Sequence, residues 1–201
     1  MTVRVLMLAG LLLLIGTLCF GADITTTFDI EEDTYVSQDY PTTNYVSSTL
    51  VYAGLKPFNT GRTETYISLD EDNILDWIDT AQLLWAKLWV YVVSGPGYQW
   101  QNPAWSVAID TTWNPSTVTY RIADEDKYGE YGCIPWAQYP WDDWNSMDIT
   151  QLIEDWDDGA TSKNGVAIVS AGSGFVTWSF RSQEYGDGSY APYIEVCKRT
   201  S

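Results

Sequence analysis

Residues 81–93 read Ala-Gln-Leu-Leu-Trp-Ala-Lys-Leu-Trp-Val-Tyr-Val-Val. Successive side chains of a strand point to opposite faces, so Leu84, Ala86, Leu88, Val90 and Val92 share one face and Leu83, Trp85, Lys87, Trp89 and Tyr91 the other. The first set is wholly aliphatic and demands a core. Shorter strand-like runs at residues 24–30, 34–37, 49–53, 63–69, 105–109, 116–120, 166–171, 175–180 and 193–197 are separated, in many places, by Gly, Pro, Asn or Asp. Many short strands with irregular loops predict an all-β fold, a jelly-roll β-sandwich. Only one segment reads as a helix. Ile149, Leu152, Ile153 and Trp156 recur at i, i+3, i+4 and i+7, with Asp148 or Thr150 to cap the start and Gly159 to close the end. One short helix is therefore expected, its apolar stripe covering an open end of the sandwich.

Before the first strand, Arg4 is followed by an apolar run from Val5 to Phe20 and then by the small residues Gly21 and Ala22. That order predicts a secretory signal peptide over residues 1–21 and a single β-sandwich domain over 22–201. The run is about 16 residues, short of the about 20 that a membrane-crossing helix needs. The expectation is a secreted or cell-surface protein with no membrane insertion after cleavage. Roughly 180 remaining residues suffice for one well-buried core.

Ten Lys and Arg stand against 27 Asp and Glu, a net charge of −17, which argues against a nucleic-acid partner because phosphate must be neutralised by basic side chains. An acidic surface suits calcium, uncharged sugars or a basic partner. Eleven Trp and 14 Tyr argue against a disordered acidic chain, which is poor in such residues. Beyond Cys19, the two cysteines are Cys133 and Cys197. They are left either to pair in an oxidising compartment or to stay as two buried thiols; their spacing decides nothing.

Several stretches, taken in order, resemble the DNRLRE-type domains, extracellular β-sandwich modules related to carbohydrate-binding modules. They are Asp33-Thr34-Tyr35-Val36, Pro41-Thr42-Thr43-Asn44-Tyr45, Ala86-Lys87-Leu88-Trp89-Val90-Tyr91-Val92 and Thr117-Val118-Thr119-Tyr120. Further along come Asp148-Ile149-Thr150, Trp156-Asp157-Asp158-Gly159, Phe180-Arg181-Ser182-Gln183-Glu184 and Ala191-Pro192-Tyr193-Ile194-Glu195-Val196. The resemblance implies a jelly-roll fold, an extracellular location and, in some members, polysaccharide binding without catalysis. The chain departs from that pattern at Val46, where Gly is usual, and at Ala191, where Arg is usual.

Histidine is absent, which removes Ser–His and Cys–His nucleophile pairs and His-ligated metals. Gly172-Ser173-Gly174 lacks the Gly-x-Ser-x-Gly spacing of a nucleophile elbow and reads as a turn. The expectation is a protein that is not an enzyme. Acidic clusters occur at residues 29–33, 70–73, 124–126 and 154–158; carboxylates so crowded are either solvated or bridged by a hard cation. The expected cofactor is a structural calcium ion, with Asp33, Asp124, Asp126 and Glu184 as candidate ligands. Arg181 and Glu184 are expected to form a structural ion pair.

The aromatic residues carry the functional expectation, since indole and phenol rings stack on the apolar faces of sugars. Tyr98, Trp100 and Trp105 form one loop-rich group, and Trp136, Tyr139, Trp141 and Trp144 a second. Trp85, Trp89 and Tyr91 mark a third surface on the far face of the long strand. The leading expectation is a glycan platform of Trp100, Trp105, Trp136, Tyr139 and Trp141. The alternative is a structural subunit of an extracellular filament or surface layer, in which copies associate by adding the segment 22–32 as a strand to a neighbour's sheet edge.

Overall fold

A computed structural model of the chain describes residues 21–55, 61–95, 103–123, 127–128, 130–134, 142–170 and 177–200. The expected signal peptide lies, but for Gly21, outside the described residues. Twelve strands occur among those described, and every pairing between them is antiparallel. They fold as an all-β sandwich.

The 13-residue strand β5 (Gln82–Ser94) organises the first layer. Leu88 pairs with Met147 of β9 (Asp143–Asp148) on one side and with Ile194 of β12 (Tyr193–Arg199) on the other. Where β12 begins, β11 (Thr177–Arg181) takes over the same side of β5, pairing Phe180 with Val92. Beyond these lie β1 (Asp23–Asp29) against β12 and β3 (Leu50–Leu55) against β11. The second layer is β2 (Glu32–Ser37), β4 (Arg62–Ser68), β10 (Val166–Val169) and β6 (Ala104–Ile109), with β7 (Lys127–Tyr128) and β8 (Cys133–Ile134) on β6. The layers meet where Gly54 and Leu55 pair with Thr63 and Arg62.

Ala86, Leu88, Val90 and Val92 are all at most 1% exposed, as the period of two requires. They pack with Ile194, Val196, Met147 and Phe180 of their own layer against Ile67, Val166, Ile168, Ala104 and Ala108 of the other. The second layer is also covered on its outer face. There Val36, Tyr66, Val107, Ile109 and Ala167 pack under Trp113, Val118 and Tyr120. The strand expected at residues 116–120 is thus not a strand. Asn114 takes the main-chain N–H of Ser116 on its side chain and those of Thr117 and Val118 on its carbonyl, and the resulting turn leads into α2 (Tyr120–Ala123). Val118 and Tyr120 are apolar because they plug this second cluster.

The expected helix is α3 (Thr150–Asp157), whose Leu152, Ile153 and Trp156 are buried. Asp148 accepts from the N–H and hydroxyl of Thr150 at its start, and Gly159 takes φ +68° just past its end, a conformation glycine adopts without strain. The sandwich carries more than one helix, however. α1 (Glu71–Ile78) occupies the acidic run 70–73, with Asp70 capping Asn73 N at 3.1 Å. Glu71 and Asp72 sit in its first turn, where the helix dipole favours negative charge, while Ile74 and Ile78 anchor it in the core. What reads as an acidic surface patch is a helix N-terminus. Among the described residues no helix is long and apolar enough to cross a membrane.

Candidate functional site

Of the expected platform, Trp100, Trp136, Tyr139 and Trp141 lie outside the described residues. Trp105 is half-buried on β6, opposite Cys133 and Val169. Its neighbours Ala104 and Ala108 face the core, so alternation puts Trp105 on the outer face of the second layer.

The first layer presents a different aromatic surface, on the outward side of β5. Register places Trp89 opposite Tyr193 on β12 and Tyr91 opposite Trp144 on β9. The Trp89 and Tyr193 rings lie nearly parallel, 12° apart with centroids at 6.1 Å. The Trp144 ring meets Tyr193 edge-on at 5.1 Å and Tyr91 at 5.6 Å. Tyr190 extends the cluster from Tyr91, at 4.5 Å, and Tyr185 lies 5.8 Å beyond. Hydrogen bonds fix the ring planes. Trp89 Nε1 donates to Glu195 Oε2 at 3.1 Å, and Tyr91 donates its hydroxyl to the Asp142 carbonyl at 2.7 Å. Asp142 itself has φ +56°. Lys87 lies over the rings of Trp85, at 4.8 Å, and Trp89, at 6.0 Å.

Successive turns after β11 deliver Tyr185 and Tyr190. Tyr185 N–H donates to Ser182 O, Gly188 N–H to Tyr185 O and Ala191 N–H to Gly188 O. Gly188 holds φ +79°, which a side chain would strain. A cleft of about 310 Å³ opens here, lined by Thr27 and Asp29 from β1, Gly188, Ser189 and Ala191 from the turns, and the rings of Trp144 and Tyr193. Burial raises the Tyr193 phenol, with the charge of Glu195 adding to it, so this hydroxyl stays protonated and able to donate at neutral pH. The site combines ring faces with a carboxylate and two aliphatic hydroxyls. Those are the components that hold a sugar: stacking for its C–H faces and directed acceptors and donors for its hydroxyls.

Sequence reasoning singled out Trp89 and Tyr91 on the far face of β5, and Trp144 among the loop aromatics. It did not join Tyr193 and Tyr190 to them. The pairing of β12 and β9 on either side of β5 brings these residues together over about 100 residues of chain, and only the even alternation of Tyr193-Ile194-Glu195-Val196 carried a trace of it.

Other expected residues are also placed. Asp124 and Asp126 lie outside the described residues. Asp33 and Glu184 come together: Asp33 Oδ2 accepts from Gln183 N at 2.9 Å, and Glu184 follows in the same turn. No ion pair between Arg181 and Glu184 occurs among the described residues; the Arg181 guanidinium instead lies over the Tyr185 ring, 3.6 Å from its centroid, where the ring quadrupole attracts the cation. Cys133 and Cys197 are free thiols. Cys133 lies on β8, paired with β6 of the second layer, and Cys197 on β12, paired with β1 and β5 of the first. The segment 22–32 is engaged within its own chain. Seven residues of β1 pair with β12, and Asp23 and Arg199 bridge at 2.8 Å.

The model of carbohydrate-binding module family 96 matches residues 24–197. The chain is also 26% identical over 181 residues to the tRNA nuclease WapA of Bacillus subtilis strain 168, a match covering 87% of this chain and 8% of that protein. The tRNA3(Ser)-specific nuclease WapA of Bacillus spizizenii shows the same identity and coverage. For the tRNA(Glu)-specific nuclease WapA of Bacillus subtilis subsp. natto the identity is again 26% and the share of that protein 7%. The chain thus spans less than a tenth of the length of these relatives.

Proposed function

The chain belongs to carbohydrate-binding module family 96, and we propose that it acts outside the cell as a non-catalytic module that binds an uncharged polysaccharide on the outer face of the first layer. The observation that carries this reading is the cleft walled by Trp144 and Tyr193 and lined by Thr27, Asp29 and Ser189. The rings supply contact area, and the polar groups orient the sugar. Asp29, Asp142 and Asp143 border the same face and are exposed, so an anionic polymer meets repulsion there while an uncharged one does not. The nuclease names belong to proteins more than ten times longer. Nothing in a histidine-free chain of net charge −17 supports carrying that activity to this module.

The test is electrophoresis of the purified module through native gels containing soluble β-glucan, xylan or galactomannan. Retardation by at least one is expected, and unchanged mobility in all of them rejects the reading.

The alternative, a subunit of an extracellular assembly, draws on one observation. The outer edge of β1 carries no strand among the described residues, and its side chains are largely exposed, leaving an edge to which a second copy can add.

A further inference from the structure

A second cavity, of about 360 Å³, opens at the end of the sandwich where α1 and α3 meet the start of β5, and it shares no residue with the sugar cleft. Its volume falls within the about 300–1,000 Å³ of small-ligand sites. Leu75 and Ile78 of α1, Ala81, Leu83 of β5 and Ile153 of α3 supply apolar walls. No aromatic ring lines it, so a sugar finds no stacking surface there. The mouth is polar. Glu154, Asp157 and Asp158, all exposed, stand on it with Gln82 and Gln151.

These acids sit where local electrostatics disfavours them. Glu154 and Asp157 lie in the last turn of α3 and Asp158 caps it, at the negative end of the helix dipole, which favours bases. Neither α3 nor α1 has a basic residue in its last turn, and no basic residue lines the cavity. Among the described residues Glu154, Asp157 and Asp158 make no ion pair. Lys163, on which the charge of Asp157 bears, is bonded instead to Asp72 at 2.9 Å. Asp155, in the same turn but not on the mouth, is fully engaged, accepting from Tyr131 and from Gln151 at 2.9 Å each. The acids left without partners are the ones around the cavity.

We propose that this cavity docks a lysine side chain presented by a partner polypeptide, its methylene stem against Leu75, Leu83 and Ile153 and its ammonium among the carboxylates of Glu154, Asp157 and Asp158. Lysine matches both halves of the site, an apolar stem that ends in a compact cation. Arginine matches it less well, because its planar guanidinium finds no ring to lie on. A chain of net charge −17 draws basic surfaces towards itself from a distance, and the cavity turns that general attraction into one seated contact. Because the two sites share no residue, a glycan on the β5 face and a basic protein at the helical end can be held at once.

The test is titration of the natural chain, followed by backbone amide NMR, with a blocked Gly-Ser-Lys-Ser-Gly peptide and with the same peptide carrying norleucine for lysine, which keeps the stem and removes the charge. The lysine peptide is expected to shift the amides of Leu83, Ile153 and Asp157, and the norleucine peptide to bind roughly tenfold more weakly or worse. The double variant Glu154→Gln/Asp157→Asn, both positions being exposed, is expected to melt no lower than the natural chain and to lose roughly tenfold in affinity for the lysine peptide. Its polysaccharide retardation is expected to be unchanged, which separates this proposal from the sugar-binding reading. No shift in the natural chain overturns the proposal, as does equal binding of the two peptides or an undiminished affinity in the double variant. Spermidine or glucosamine binding at the same amides as tightly as the peptide overturns the assignment to a polypeptide.

Discussion

Trp89 on β5 and Tyr193 on β12 stand directly opposite each other with ring planes 12° apart, and Glu195, next on the same face of β12, holds the Trp89 indole N–H at 3.1 Å. The ring pair is therefore oriented before any ligand arrives, which lowers the ordering cost of binding. Glu195→Ala frees the indole. It is expected to weaken polysaccharide binding several-fold with little change in melting temperature, and an unchanged affinity in calorimetric titration would show that indole orientation is unimportant.

Neighbouring residues of β5 answer to opposite faces. Leu88 is fully buried, and Leu88→Ala is expected to cost about 2–5 kcal/mol of stability while the folded protein keeps its sugar affinity. Trp89→Ala is expected to do the reverse, with less loss of stability and a marked loss of retardation. Urea unfolding and affinity gels run on both variants check the pair; the same ranking in both assays contradicts a division of labour between the faces.

The Asp33 carboxyl is pushed up to about 7, chiefly by burial, with the Gln183 N–H opposing and Glu184 and Glu32 adding. An unfolded chain releases this proton near pH 4. Between these values the folded state keeps a proton that the unfolded state has lost, so the contribution of Asp33 is present at low pH and declines as pH rises towards 7. The stability of the natural chain relative to Asp33→Asn is expected to fall with rising pH, by up to about 1.4 kcal/mol per unit. A difference that is flat from about pH 4 to 7 contradicts the raised value.

The free thiols of Cys133 and Cys197 predict that reducing agent leaves the melting temperature unchanged. A fall of several degrees on reduction would mean that a disulfide forms, by pairing within the chain or between copies.

β1 is paired with β12 along its full length, so the chain is expected to be monomeric in light scattering at micromolar concentration. Oligomers that grow with concentration, and that vanish when the outer edge of β1 is blocked by Thr25→Pro, whose N–H points away from β12, would favour the assembly reading.

The fold was legible in the sequence wherever one face is buried and the other is not. The alternation of residues 84–92, with Leu88 inside and Trp89 outside, anticipates β5, and the i, i+3, i+4 stripe of Ile149, Leu152, Ile153 and Trp156 anticipates α3. It was less legible where a segment is covered on both sides or capped locally. Val118 and Tyr120 look like strand residues because they plug the second cluster, and Asp70 through Asn73 look like a cation loop because helix N-termini favour the same acids. The site was legible only in part. Trp89 and Tyr91 follow from period two, whereas their meeting with Tyr193, Tyr190 and Asp29 depends on which strands flank β5, information carried by long-range pairing and by no local pattern.

The decisive measurement is native affinity electrophoresis of the natural chain beside Trp144→Ala and Tyr193→Ala, each confirmed as folded by its melting curve, in gels of uncharged polysaccharide. Retardation of the natural chain with loss of most of it in both variants is the predicted result. Equal retardation of all three would place the sugar elsewhere on the molecule and contradict the assignment of the β5 face.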